Sequence, residues 1–299
     1  MISIFKNLPP NTKAALLALA AYLCFSCADA LAKNLTQDYS VYHLTVNNAV
    51  AGIFVIIFMK LFEKEKQKFT CSRPLIHLLR GIANFAIVTL VVYSFSIMPI
   101  AESYTMIFSS PFWAILIAAI VYKEHLTRNR VLALAGGFAG ILIALRPDPA
   151  HLNLDLLYPL AAAIFIAFIF VSTRSLKEDS ALSIGASPLI LGGLIAVPFM
   201  LNNFSPVAAA DIPLFIANAF FVGIAMPCLS VAFRLGATAL VSPMQYTQII
   251  WGTLFGLLFF GDVPGLWTIG GAAVIIASGI YLALSERKSG RKLARNLDQ

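Results

Sequence analysis

Lys60 to Arg73 reads KLFEKEKQKFTCSR, and five of its fourteen residues are Lys or Arg. On either side lies a predominantly apolar run, Val41 to Leu61 and Leu75 to Ile97. Each is near the roughly 20 residues that a helix needs to cross the ~30 Å of bilayer hydrocarbon. The basic stretch is therefore a loop joining two membrane spans, and the rest of the chain follows the same alternation. Eight more apolar segments can be marked: Ala14–Leu35, Ala101–Val121, Val131–Leu145, Leu156–Ser175, Leu182–Leu201, Ile212–Phe233, Ala239–Phe260 and Leu266–Leu284. The short one, Val131–Leu145, is expected to borrow Asn129 and Arg130 from its flank. With 60% hydrophobic residues, 12% charged residues and a mean hydropathy of +0.85, the chain carries more apolar surface than a water-soluble core can hide.

Basic residues beside span ends stay in the cytoplasm. With the amino terminus inside, the gaps on that side hold 18 of the 21 Lys and Arg. The opposite gaps hold Arg146 alone, and Lys33 and Arg80 fall within spans. One span more or fewer would scramble this segregation, so the reading is ten spans with both termini cytoplasmic. The net charge of +7 is then a topological signal, and no nucleic-acid partner is expected. Ala14–Leu35 is longer than a signal-peptide apolar region and contains Asp29 and Lys33, so it reads as the first span. Cys24, Cys27, Cys71 and Cys228 have no metal-ligand spacing with the histidines and read as small apolar residues.

A shift of 138 residues lays the fourth segment on the ninth: Ala101 falls on Ala239, Trp113 on Trp251, Leu116 on Leu254 and Glu124 on Asp262. Ala114 and Ala118 fall on Gly252 and Gly256, small-xxx-small pairs that let helix backbones meet closely in lipid. After a one-residue slip, Gly140, Ala144 and Leu145 fall on Gly279, Ala283 and Leu284. Five spans per copy is an odd number, so the second copy enters from the opposite side, a construction common among carriers that bind solute near the midplane. The expected fold is all-α, ten transmembrane helices arranged as two inverted five-helix repeats. The repeats are residues 1–146 and 155–285, divided at a polar gap carrying Pro147, Asp148 and Pro149 and followed by a basic tail, 286–299.

The residues that punctuate this pattern carry a likeness. They are Ser26 with Asp29 and Lys33, then Arg73-Pro74 followed by Leu79-Arg80-Gly81, Pro99 to Glu102, Pro111, Lys123-Glu124 and Arg146-Pro147. Later come Ser242-Pro243 with Tyr246, Phe260-Gly261-Asp262 with Pro264, and Ser278 to Tyr281. In order and spacing the chain resembles the EamA family of the drug/metabolite transporter superfamily. The resemblance implies a ten-helix carrier of small metabolites in the bacterial inner membrane, similar to branches that carry S-adenosylmethionine or riboflavin and others that export amino acids. Two departures from the family pattern stand out: an Arg often seen in the second span is replaced near Asn47 and Asn48, and Asp262 replaces the usual Glu.

An ionisable group in hydrocarbon costs roughly 2.5–3.5 kcal/mol on insertion scales, so each one needs a reason. Asp29 and Lys33 are four apart on one helix face and can pair, either for coupling at the outer mouth or to fix the first helix. Arg80, about six residues into the third span, either snorkels to the cytoplasmic boundary or meets an anionic group beside Asn84. Glu102 opens the fourth span as an interfacial or coupling residue. Trp113 and Trp251 fall mid-span, away from the interfaces that Trp prefers, and are candidates to stack on a flat substrate; close helix packing is the alternative. Gln245, Tyr246, Thr247 and Gln248 make the ninth span unusually polar. With Ser109, Ser110, Asn47, Asn48 and Asn218 they can line one cavity, to which Pro111, Pro227 and Pro243 add unpaired carbonyls. The substrate-binding candidates are Trp113, Tyr246, Gln248, Trp251, Gln245, Asn48, Asn84, Ser109 and Asn218. The coupling or gating candidates are Asp29, Lys33, Arg80 and Glu102.

No nucleophile elbow, phosphate loop or paired-histidine metal motif is present, so no enzyme activity, metal or cofactor is expected. The function read from the chain is secondary transport of a small-molecule substrate across the lipid bilayer by alternating access. The alternative is a lipid-handling, flippase-like or assembly-partner protein without solute transport. The small residues serve contacts within one chain as readily as between two, so the oligomeric state stays open.

Overall fold

A computed structural model describes residues 9–62, 69–123, 126–145, 154–235 and 241–297. Glu124, Ala239 and the polar linker at 146–153 lie outside the described residues. The first three apolar runs form single helices, α1 (Pro10–Leu35), α2 (Val41–Phe62) and α3 (Pro74–Ile97). Pro10 and Pro74 stand in first turns, where the missing N–H has no helical acceptor to lose. The fourth span is broken into α4 (Ile100–Ile107) and α5 (Ser110–Val121). Pro111 cannot donate to the Ile107 carbonyl one turn back, and at the break the Met106 carbonyl accepts both the Ser109 N–H at 3.0 Å and the Ser109 hydroxyl at 2.6 Å. Next come α6 (Arg128–Leu145), α7 (Leu157–Ser172) with a 3₁₀ turn at each end, α8 (Ala181–Asn202) and α9 (Ile212–Leu235). Ser180 caps α8, its hydroxyl accepting the Ser183 N–H at 3.1 Å.

The ninth span comes in three pieces: a 3₁₀ turn at Ser242–Tyr246, α10 (Thr247–Phe255) and a π turn at Gly256–Phe260. Backbone irregularity at membrane depth is tolerated where protein or a cavity surrounds it. The last helix, α11 (Leu266–Leu297), has 32 residues, about 48 Å at the helical rise. It carries the tenth span on through most of the basic tail. Among the described residues, eight segments are long and apolar enough to cross a membrane. The other two spans are the segmented ninth and α6, which takes Asn129 and Arg130 into its first turn.

The spans close into a ring. The first packs on the eighth, the eighth on the second, the second on the seventh, the seventh on the third, the third on the sixth, the sixth on the fourth, the fourth on the ninth and the ninth on the first. The fifth and tenth pair with each other beside the fourth and ninth. Exchanging every span for the one five places away returns the same set of pairs, the signature of a twofold relation between halves. The backbone repeats as well. Lys123 and Gly261, 138 residues apart at the ends of the fourth and ninth spans, are the two described residues with positive φ, at 53° and 69°. A non-glycine residue in that region costs about 1–2 kcal/mol, so at Lys123 the chain path prevails over local preference.

Where spans cross closely, glycines let backbone meet backbone. A Cβ on Gly271 would stand 2.6 Å from the Gly140 carbonyl and 2.8 Å from the Ala144 nitrogen, and one on Gly193 would stand 2.8 Å from the nitrogen of Ala49. Lipid offers little hydrophobic drive for helix association, so such close packing supplies much of it.

Candidate functional site

The Tyr104 side chain connects three spans. Gly252 of the ninth span leaves room for its ring, since a Cβ there would come within 2.7 Å of Tyr104 Cε2. The ring stacks on Phe108 at 5.7 Å and meets Phe95 of the third span edge-on at 6.0 Å. So held, the Tyr104 hydroxyl donates to Asp29 Oδ2 at 2.5 Å, and its oxygen lies 3.4 Å from the Ser26 hydroxyl, which can donate to it. Gln248 contacts the same hydroxyl from the ninth span. The neighbouring residues Ala101 and Thr105 turn the other way, lining a cleft of about 190 Å³ towards the tenth span. Tyr104 therefore points into the ring, and a polar cluster of Asp29, Ser26, Tyr104 and Gln248 stands there among the first, fourth and ninth spans.

Asp29 and Lys33 share a helix face yet take different partners. Lys33 Nζ binds Asp262 Oδ2 at 2.5 Å and the Met98 carbonyl at 3.0 Å, and lies 5.1 Å from the Phe260 ring centroid. Asp262 is presented to it by the left-handed turn at Gly261. Glu102 stands at the same face and accepts the Gly265 N–H at 3.3 Å, a carboxylate at the start of α11 where the helix dipole favours negative charge.

Arg80 is 2% exposed and does not snorkel. Its guanidinium donates to the Ile169 carbonyl at 2.7 Å, Ser172 Oγ at 3.1 Å, Thr173 Oγ1 at 2.7 Å and the Ile184 carbonyl at 3.1 Å. A cation at the carboxyl end of α7 is placed where the dipole stabilises it. Arg80 thereby ties the third span to the sixth and seventh.

The two tryptophans differ. Trp113 donates to Ser109 Oγ at 3.1 Å and packs edge-on against Phe138 of α6 at 5.1 Å. Trp251 Nε1 is buried with no hydrogen-bond partner, as is Asn84 Oδ1. Trp251 and Gln248 are three apart and so share a face of the ninth span. Tyr246 is buried, edge-on to Phe108 at 5.4 Å, and its hydroxyl occupies the space where Gly279 has no side chain. Gln245 adjoins that hydroxyl. Asn218 is committed to helix packing, donating to the Ala28 carbonyl at 2.8 Å and accepting from Asn47 at 3.0 Å. Asn48 is buried on the second span.

Three features escaped the sequence reading. Tyr104 was one, and the only signal for it was a hydroxyl-bearing ring in an apolar run. Asp262 as the partner of Lys33 was another, lying 229 residues away. The third is a network on the amino-terminal face, where His77 Nδ1 meets Ser187 Oγ at 2.7 Å and Nε2 meets Asp179 Oδ2 at 3.1 Å. Asp179 also accepts the Ser72 N–H and hydroxyl at 2.7 and 2.8 Å. Burial alone would raise the Asp179 carboxyl, but the donors from Ser72 and His77 outweigh it and hold the group below its ordinary value.

The profile of the EamA-like transporter family matches residues 12–146. The S-adenosylmethionine uptake transporter of Rickettsia bellii is 24% identical over 243 residues, covering 81% of this chain and 83% of that protein. The pseudopaline exporter CntI of Pseudomonas aeruginosa is 25% identical over 278 residues, 92% of this chain and 96% of the exporter. The riboflavin transporter of Rhizobium johnstonii is 26% identical over 227 residues, 74% of each chain. A protein of known crystal structure shares the fold with a TM-score of 0.61 at 18% identity, covering 93% of this chain and 99% of the other. The pairing of the ten spans, the segments that punctuate them and these likenesses agree: the chain is similar to EamA-like transporters, by the family profile over residues 12–146 and by these relatives over most of its length.

Proposed function

We propose that the chain carries a small, water-soluble metabolite with a heterocyclic part by alternating access, through the interior of the ring of eight spans. One observation carries this reading: a carboxylate inside the ring whose described partner is the neutral Tyr104 hydroxyl, and, on the ninth-span face that also carries Gln248, a buried indole N–H with no described acceptor. An unmatched buried donor costs about 1–3 kcal/mol, a cost that a solute acceptor would recover. Asp29 then accepts either a proton or a cationic group of the solute, and Trp251 and Gln248 contact the heterocycle. S-adenosylmethionine is the first solute to test, because two of the named relatives carry heterocyclic compounds and its sulfonium charge suits a carboxylate. Residues 1–146 and 155–285 act as the two tilting units. The basic gaps support a cytoplasmic amino-terminal face in a bacterial inner membrane.

The sideways-opening cleft among the second, seventh and eighth spans does not favour lipid handling. Its lining is apolar apart from His43 and Asn47, which already bind the Ser205 and Phe215 carbonyls. Uptake into liposomes reconstituted with the purified protein tests the proposal, with S-adenosylmethionine, riboflavin and a mixed metabolite pool, each with and without a pH gradient. Saturable uptake lost in Asp29→Asn is expected; the absence of saturable movement for every solute would overturn it.

A further inference from the structure

The same contact is built twice, once on each face of the ring. On the face opposite the amino terminus, Lys33 at the end of the first span lies 5.1 Å from the Phe260 ring centroid. On the amino-terminal face, Arg174 at the end of the sixth span lies 5.8 Å from the Tyr122 ring centroid. Tyr122 and Phe260 are 138 residues apart, the offset that relates Lys123 to Gly261, and each directly precedes its left-handed residue. The first and sixth spans are exchanged by the twofold pairing. A cation on one span thus meets an aromatic ring on another at both ends, although Lys stands against Arg and Phe against Tyr.

Both contacts join neighbours in the ring. Lys33 reaches from the first span to the ninth and, through the Met98 carbonyl, to the turn after the third, so it stretches across the mouth. Arg174 reaches from the sixth span to the fourth, where the Tyr122 hydroxyl bonds the Val171 carbonyl at 3.2 Å and Ser175 Oγ at 2.9 Å. A cation over a ring face is a directional attraction that one rigid-body tilt makes or breaks as a unit.

Resting on the carrier reading above, we propose that Lys33 and Arg174 are reciprocal gate residues, each closing the mouth on its own face and releasing its ring when that mouth opens. Neither touches the solute; they set which side the binding cluster faces. The two gates oppose one another, so weakening one shifts the population towards opening on that face and away from the other.

The test uses a thiol reporter at Gln248→Cys in a chain whose Cys24, Cys27, Cys71 and Cys228 are replaced by Ser. Labelling by a membrane-impermeant maleimide is followed from each side of reconstituted vesicles. Lys33→Gln is expected to raise labelling from the Lys33 face at least threefold and lower it from the other. Arg174→Gln is expected to do the reverse, and Lys33→Arg and Arg174→Lys to keep the parent pattern. Should a charge variant fail to fold, Phe260→Leu and Tyr122→Leu remove the rings at similar apolar volume and carry the same expectation. Shifts in one common direction, or none beyond twofold, would overturn the assignment. Labelling requires no solute, so opposite shifts with no transport by the unsubstituted protein would sink the carrier reading alone, and transport by that protein with unshifted labelling would sink the gates alone.

Discussion

Removing the Tyr104 hydroxyl probes the coupling between the first and fourth spans. Tyr104→Phe keeps the ring between Phe95, Phe108 and Gly252 and deletes one oxygen, which sits 2.5 Å from Asp29. Two scales bear on the size of the effect. Hydrogen bonds to charged groups in water-soluble proteins contribute about 1.5–3 kcal/mol. Between transmembrane helices the average falls to ~0.6 and the maximum to ~1.7, because the unfolded chain in the membrane also finds partners. The Tyr104 ring is held on three sides, so the hydroxyl has little freedom to lose, and a value near the membrane maximum, about 1.5 kcal/mol, is expected. Reversible unfolding in mixed micelles measures it through a double-mutant cycle of the parent, Tyr104→Phe, Asp29→Ala and the double variant. The same 1.5 kcal/mol corresponds to about tenfold in affinity if the solute binds through Asp29. An interaction energy below about 0.3 kcal/mol would refute the claim that Tyr104 holds the carboxylate.

Trp251→Phe deletes a donor without a partner, so the solute-free protein should keep or gain stability while solute affinity falls several-fold. Trp113→Phe should cost about 1 kcal/mol through the lost Ser109 bond and leave affinity unchanged; thermal scans with and without solute separate the two. Gly271→Val should lower stability by about 3 kcal/mol, the upper end of overpacking costs, because the blocking atoms are the Gly140 carbonyl and the Ala144 nitrogen and no rotamer change relieves them. The Asp179 carboxyl lies below its ordinary value in the folded protein, so its contribution is full above the unfolded value near ~3.9 and is lost as pH falls through the folded one. Across that acid range the melting temperature of Asp179→Asn should fall less than that of the parent.

The ten spans could be read from sequence because each is written in about twenty adjacent residues, and the repeat because an offset of 138 matches Trp113 to Trp251 without any folding. Even the weak fifth span followed from local composition, as Asn129 and Arg130 joined α6. Pairings across the ring left no such trace. Spacing of four placed Asp29 and Lys33 on one face, but the lysine found Asp262 and the carboxylate found Tyr104, partners fixed by how the helices assemble. Arg80 illustrates the same limit. Six residues from a boundary a long cation can snorkel, and only the approach of the α7 carboxyl terminus gave it carbonyls to cap instead. The repeat did hold the key to the gate contacts, hidden because the cation and ring change identity between copies.

The way each charge is answered separates fixed groups from groups free to act. Arg80 donates to four acceptors on two spans, and moving it would strand all of them in a low-dielectric interior. Glu102 accepts one backbone N–H at an exposed end of its span. Asp29 differs from both, since its described partner, the Tyr104 hydroxyl, is neutral and can stay in place while a proton or a solute cation comes and goes. Lys33 stands one turn away with its own carboxylate, so a charge arriving at Asp29 alters the field at Lys33 without competing for Asp262. On this arrangement occupancy at the centre biases the mouth through the field along one helix face. Replacing Asp29 with Asn removes the same negative charge that an arriving cation neutralises, so it should shift the labelling pattern of the Gln248→Cys reporter in the same direction as solute binding does. An unchanged pattern would mean that the gate on the Lys33 face senses the solute by contact and not by charge.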